Sequence, residues 1–510
     1  MRRFLLSLLC ASLLVSPAGA TWSIVVVNRR TGEVAIGAAT CISQTNLTRG
    51  LPAIVNGVGG GVIQASGSST DQPPMVAGMR AGLSPAELLE IVKQVEPSVG
   101  QLQTGIVTMD GTPVTFTGTG VGRAKRGVVG EVGDLAYAIQ GNVLAGRAVI
   151  DVAERALLQT EGDLGQKLLA SMIAAREWGG DGRCSCTMEN FGKDADDCGS
   201  PPDSFSKSAH VGFLLLARQG DPDAPCVTNA GIDCANQPYH MRLVIRGANA
   251  QIQDPDPVDQ LVIRYDQWRA DRSGRPDGIL SRTTEAQPML ADGMTRQVIG
   301  VQLIDLEGNA LTHGKARLEV VPTGDTHVLT RIQEIENHGD GTYSITVVSA
   351  ARPTTETFMI RAIDDLVEAT LYPFLELESI SSQPLHIGAT ALSAGADADV
   401  SLDLNVPEQA GASYVVLGSM ASGGVIPLAS GLILPLSADD VFAFTVTEAG
   451  HPEYLPGTIG ALDNNGRAKA SFRPPAGALA ELVGQRLEWV GVVSGASMQL
   501  TNVVGIDILP

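Results

Sequence analysis

Thr21 follows the small residues Ala18, Gly19 and Ala20 and leads straight into the apolar run WSIVVV. A threonine hydroxyl is a weak nucleophile and needs a base to take its proton. A free α-amine on the same residue can be that base, because its reference pKa of about 7.7 to 8.0 leaves an appreciable neutral fraction near pH 7. The chemistry therefore requires a cut directly before Thr21. Residues 1–20 predict one: Arg2 and Arg3, the apolar FLLSLLCASLLV and the AGA ending have the order of a secretory leader. The plainer reading is that every processed chain starts with some residue, and Thr21 is then only the first residue of a strand. No GxSxG elbow or HxxxH pair occurs, which disfavours a serine α/β-hydrolase and a zinc protease.

Thr21 opens the first of five ordered segments. TWSIVVVNRRTGEVAIGAAT, GVGGGVIQASG, MRAGLSPAELL, AIQ followed by GNVLAG, and EWGGDGR succeed one another between residues 21 and 250. In this order they resemble the domain-of-unknown-function family 1028, which opens on a TFSIVA-type segment and carries QGNML and GGD motifs. The resemblance implies an N-terminal-nucleophile hydrolase fold, a four-layer αββα sandwich with two antiparallel sheets between helix layers. It places Thr21 as nucleophile and Asn142 or a backbone N–H of residues 57–61 as oxyanion donor. Asp181 would hold the α-amine or a substrate amine, and Gln64, Gln140, Gly141, Gly179 and Gly180 would line the substrate. The alternative for each is local: Asn and Asp beside Gly stabilise turns, and glycines relieve packing. A proteasome-style lysine is absent from the early strands, because Lys93 is the first lysine in the chain.

The resemblance thus implies an exported amidohydrolase acting on an unknown amide-containing substrate, with no cofactor and no metal. The alternative is a non-catalytic secreted or cell-surface binding or adhesion protein on the same fold.

The elements that must position these residues come from pattern. TWSIVVVNRRTGEVAIGAAT reads as a hairpin of two buried strands around NRRTG. LSPAELLEIVKQV reads as a helix, with Ser84 and Glu87 as capping box and Pro85 in the first turn. QTGIVTMDGTPVTFTG is a second hairpin, VLAGRAVIDVAERALLQ and DLGQKLLASMIAARE are helical, and HVGFLLLAR is a strand. Such an order predicts an α+β domain over 21–255 after a 1–20 leader. Residues 256–280 are polar and proline-bearing around LVIRY, and read as a helix or strand closing that domain and then a linker. Two all-β domains follow: an immunoglobulin-like sandwich over 281–378, resembling bacterial modules of the invasin or filamin type, and a C-terminal β-domain over 379–510.

Composition restricts the partners. A formal charge of -20, which becomes -22 once Arg2 and Arg3 leave, repels phosphate backbones, so nucleic acid is not expected. No stretch reaches about 18 uninterrupted apolar residues, so no membrane span is expected. Six cysteines remain after the leader, five of them within 184–234. In an exported chain they read as disulfides of undetermined pairing, and the spacing is not the paired CxxC of a zinc site. Glu189, Asp194, Asp196, Asp197 and Asp203 form an acidic loop that could take calcium or simply be solvated. The location expected is secreted or periplasmic, with cell-surface association and homo-oligomerisation both open.

Overall fold

The computed structural model describes residues 21–43, 46–186, 197–223, 225–228, 231–247, 253–324, 328–428, 430–495 and 498–510. The leader and the acidic residues Glu189, Asp194 and Asp196 lie outside these. The chain divides into two compact units, one of Met1–Leu280 with Asp305–Asn309 and Val367–Pro373, the other of Ser281–Ile304, Ala310–Leu366 and Phe374–Pro510.

The first unit is a mixed α+β structure. In chain order its elements are β1 (Thr21–Asn28), β2 (Glu33–Thr40), α1 (Leu47–Gly50), β3 (Pro52–Val55), β4 (Gly59–Ala65), α2 (Gln72–Arg80), α3 (Pro85–Val95), β5 (Leu102–Thr108), β6 (Val114–Thr117), β7 (Arg126–Val132), β8 (Leu135–Asn142), α4 (Ala148–Gln159), α5 (Leu164–Glu177), α6 (Gly182–Ser185), β9 (Val211–Ala217), β10 (Val227–Thr228), β11 (Gly231–Ile232), β12 (Met241–Ile245) and α7 (Pro257–Ala270). Two antiparallel sheets dominate, ordered β12-β9-β2-β1-β8-β7 and β3-β4-β5-β6.

Period-two alternation explains how β1 is buried on both faces. Trp22, Ile24 and Val26 pack with Val149, Ile150 and Ala153 of α4, Leu168 and Met172 of α5, and Val258 and Leu261 of α7. Val25 and Val27 point the other way and meet Ile54, Val62 and Val107 of the four-stranded sheet. That sheet's outer residues, Ala53, Val55, Ile63 and Ile106, cover Met75, Val76 and Met79 of α2 and Leu88 and Val92 of α3. The helix predicted over LSPAELLEIVKQV is α3, and its Ser84–Glu87 capping box is formed at both bonds.

Residues 257–270, read as a helix or strand closing the domain, are helix α7, capped by Asp256 with Pro257 in the first turn. Val258, Leu261 and Tyr265 enter the core, so the helix is held by packing rather than by propensity. In the glycine stretch, Gly59, Gly60 and Gly61 pair with β3 on one side and β5 on the other. The backbone groups of these three belong to a ladder, while Gly57 and Val58 of the same stretch precede it, with the Val58 N–H donating to the Val55 carbonyl at 3.0 Å. Close approach explains the glycine at 59, since a Cβ there would lie 2.4 Å from the carbonyl oxygen of Val107.

The second unit is almost entirely antiparallel. Arg296–Gln302, Arg317–Pro322, Arg331–Asn337, Thr342–Val348, Thr354–Ile363 and Leu375–Ile380 form its first sheets, with Tyr343, Ile345, Phe358, Ile360 and Leu377 buried. Val400–Asn405, Ser413–Met420, Arg486–Ser494 and Val504–Leu509 build the remainder around Leu402, Val416, Trp489 and Ile506. Within the stretch expected to be a β-domain, Asp440–Thr447 is helical, and Asp439 caps it by accepting from the N–H of Phe442.

Candidate functional site

β1, β2 and β8 end at one edge of the six-stranded sheet. Thr21 opens β1 opposite Asn142, the last residue of β8, and β2 runs one residue beyond the Trp22–Ala39 pair to end at Thr40. Alternation turns Thr21 and Ser23 toward the four-stranded sheet. There they enter a dry layer of amides: Thr21, Ser23, Gln64, Gln103, Gln140 and Asn142 are all buried.

This layer is cross-linked. Ser23 Oγ donates to Gln64 Oε1 at 2.7 Å, and Gln140 Nε2 donates to Ser23 Oγ at 2.7 Å. Gln64 Nε2 donates to Gln103 Oε1 at 2.7 Å and to the Thr21 carbonyl at 3.2 Å. Gln103 Nε2 donates to the Gly141 carbonyl at 3.0 Å and to Thr117 Oγ1 at 2.9 Å. Those acceptors fix which way the Gln103 amide faces, so its Oε1 must receive Asn142 Nδ2, at 2.9 Å. Asn142 Oδ1 is left buried without a hydrogen bond. Asn142 therefore offers an acceptor, whereas the oxyanion role expected of it needs a donor. None of the hydrogen bonds made by the side chains of Ser23, Gln64, Gln103, Gln140 and Asn142 goes to a carboxylate, imidazole or ammonium group.

The GGD segment lies at the same edge but is occupied with holding its own loop. Asp181 is fully buried. Its Oδ2 accepts the Cys41 N–H at 2.7 Å and Arg183 Nη2 at 2.8 Å, and its Oδ1 accepts the N–H and Nε of Arg183, each at 3.1 Å. A carboxylate with both oxygens so engaged caps α6 and pairs with Arg183 instead of holding an amine. Gly180 has φ +52°, and a Cβ there would meet Trp22 Nε1 and Ser208 Cβ at 2.9 Å. Gly179 has φ +97° against Ala145 and Pro202, and a Cβ on Gly141 would crowd Leu144. All three glycines answer to backbone shape and packing.

Arg183 also reaches Thr40 Oγ1, at 3.3 Å. Beyond Thr40, Cys41 is disulfide-bonded to Cys184; Cys186 pairs with Cys198 and Cys226 with Cys234. The six expected disulfide cysteines are thus all paired. Sγ of Cys41, Sγ of Cys184 and a ring nitrogen of His210 lie within 4.8 Å of one another. Bonded to each other, the two sulfurs are not thiolate ligands, and among the described residues no other group of three metal-ligating side chains converges. Sequence reasoning passed over Gln103, Arg183 and His210. The signal for Gln103 was a lone long polar residue at the head of a strand otherwise fit for a core.

The residues just described fall mostly in one segment. Residues 21–188 match DUF1028, a family of unknown function. The match includes Thr21, Gln64, the 140–142 triplet and the 179–181 triplet and spans under half of the chain. Among solved structures, protein SPO2555 from Silicibacter pomeroyi, assigned to the same family, is similar at 18% identity and TM-score 0.35, covering 49% of this chain and 88% of that one. The Yersinia pseudotuberculosis adhesin InvE aligns at 13% identity and TM-score 0.19, covering 46% and 60%. The Escherichia coli adhesin FdeC aligns at 11% identity and TM-score 0.19, covering 80% and 92%. No curated protein matches the sequence. No described helix is long and apolar enough to cross a membrane.

Proposed function

We propose that this is an exported binding protein of the cell surface or its surroundings, in which an αββα scaffold of the N-terminal-nucleophile type carries β-modules that make the contacts. The observation that carries the reading is the closed amide layer beside Thr21. Its Ser, Gln and Asn side chains are neutral at every pH the protein meets and, Asn142 Oδ1 apart, spend their hydrogen bonds on one another and on neighbouring backbone carbonyls, so the layer supplies rigidity rather than a proton acceptor. Three disulfides support an oxidising location. The test is retention of the exported, purified full-length protein on washed cells, compared with its Thr21→Ala variant. Equal retention is expected; failure of the wild-type protein to bind would sink the reading.

A second reading is favoured by the unpaired Oδ1 of Asn142 opposite Thr21. Cleavage before Thr21 would convert its peptide nitrogen into an amine in the same cross-strand pair, and in this reading that oxygen would accept from it. Thr21 Oγ would attack an amide carbonyl, its α-amine would take the proton, and water would resolve the ester. Mass analysis of the exported N-terminus, followed by labelling with a β-lactone, tests this. An adduct on Thr21 that disappears in Thr21→Ala supports an amidohydrolase, and an uncut or unlabelled terminus removes it.

A further inference from the structure

The Cys41–Cys184 disulfide has a neighbour unlike those of the other two pairs. His210 stands within 4.8 Å of both sulfurs, while among the described residues neither Cys186–Cys198 nor Cys226–Cys234 has a third group of this kind. The imidazole is held in place by its own backbone, whose N–H donates to the Thr40 carbonyl at 2.8 Å, one residue before Cys41. Its Nδ1 is buried and makes no hydrogen bond; the same holds for one ring nitrogen of His240 and of His313, but of the three only His210 has a disulfide beside it among the described residues. Burial and the nearby Lys207 and Arg183 push its pKa down, against the pull of Asp181 and Asp254, which favours the neutral ring. The two sulfurs also differ: Cys41 is partly exposed, whereas Cys184 is 7% exposed.

We propose that Cys41–Cys184 is a redox-active disulfide that oxidises an external dithiol, with Cys41 as the sulfur attacked and His210 as the proton carrier. This goes beyond the binding reading and makes no use of Thr21. A thiol of the dithiol gives its proton to His210, and the resulting thiolate attacks Cys41 Sγ. The Cys41–Cys184 bond breaks as a mixed disulfide forms, and Cys184 leaves as a thiolate that takes the proton back from His210. The second thiol, deprotonated in the same way, attacks the external sulfur of the mixed disulfide. Cys41 leaves and is protonated, and the external molecule departs as a disulfide. Two electrons and two protons have passed to the protein, which now holds two thiols.

The experiment uses full-length protein and limiting dithiothreitol, with iodoacetamide quenching and peptide mass analysis to read each pair separately. Opening of Cys41–Cys184 is expected to slow about a hundredfold in His210→Gln, the lower end of what a positioned base contributes, with the other two pairs unchanged. His210→Asn should behave alike. A variant that folds badly would open all three pairs faster, so instability cannot imitate the result. An unchanged rate in both variants, equal slowing of all three pairs, or a Cys41–Cys184 bond that resists dithiothreitol in the wild-type protein would overturn the proposal.

Discussion

Asn142 donates to Oε1 of Gln103 at 2.9 Å, and that same oxygen receives Gln64 at 2.7 Å, so one amide joins the far end of β8 to two strands of the facing sheet. Replacing Gln103 by Leu keeps the bulk and removes the acceptor of two buried N–H groups, one on Gln64 and one on Asn142. Each orphaned group costs about 1–3 kcal/mol. The expected loss of unfolding free energy is about 3 kcal/mol or more, read from urea melts. A loss under about 1 kcal/mol would mean that the layer is not structural.

Asp181 is the counterpart in the loop. Asp181→Ala removes the cap of α6, the acceptor for Cys41 N–H and the partner of Arg183 at once. Breaking a buried pair of this type costs about 3–5 kcal/mol, discounted here because Arg183 remains 17% exposed. A drop of about 3 kcal/mol under non-reducing conditions is expected, with all three disulfides still formed by mass.

Helix α7 offers a contrast within one element. Leu261 is fully buried and Ile263 is 69% exposed. Leu261→Ala should cost about 2–5 kcal/mol, and Ile263→Ala no more than about 0.5 kcal/mol. Equal, small effects would return residues 257–270 to the role of linker.

Asp221 gives a pH dependence. Burial pushes its pKa up to about 6, against the hydrogen bonds it accepts from the backbone of Arg218 and His240. A carboxyl raised in the folded state binds its proton more tightly there than in the unfolded chain. Its contribution is therefore fully present below about pH 4 and lost as pH rises through about 6. Asp221→Asn can accept the same two N–H groups without the charge. It should be more stable than wild type by about 2–3 kcal/mol at pH 8 and no more stable at pH 4, measured by denaturation at both.

Much of the first unit was legible because its signals are local. NRRTG between two apolar runs marks the β1–β2 hairpin, and Ser84, Pro85 and Glu87 mark the start of α3. The site was less so. Thr21, Gln64 and Asn142 were singled out by resemblance, but their meeting point, Gln103, was not. Nothing in QTGIVT says that its glutamine looks across at a second sheet. Asp181 was read for chemistry because its motif was visible, while its actual partner Cys41 is 140 residues away in sequence. VFAFTVT carries β-branched and aromatic residues that favour a strand, and Asp439 outweighs them by capping a helix. Around LVIRY the choice between helix and strand stayed open because the apolar positions are few; Val258, Leu261 and Tyr265, packed into the core, settle it as helix.

The strand order of the six-stranded sheet bears on the order of events during synthesis. β1 lies between β2 and β8, and β2 lies against β9, so the middle of the sheet joins residues 21–40 to residues 135–142 and 211–217. The earliest hairpin to emerge cannot be closed on either edge until most of the first unit has been made. Pairings this remote in sequence form slowly. A chain built this way closes its central sheet late, and it locks with Cys41–Cys184, which spans 143 residues, only after both ends of that loop have been made.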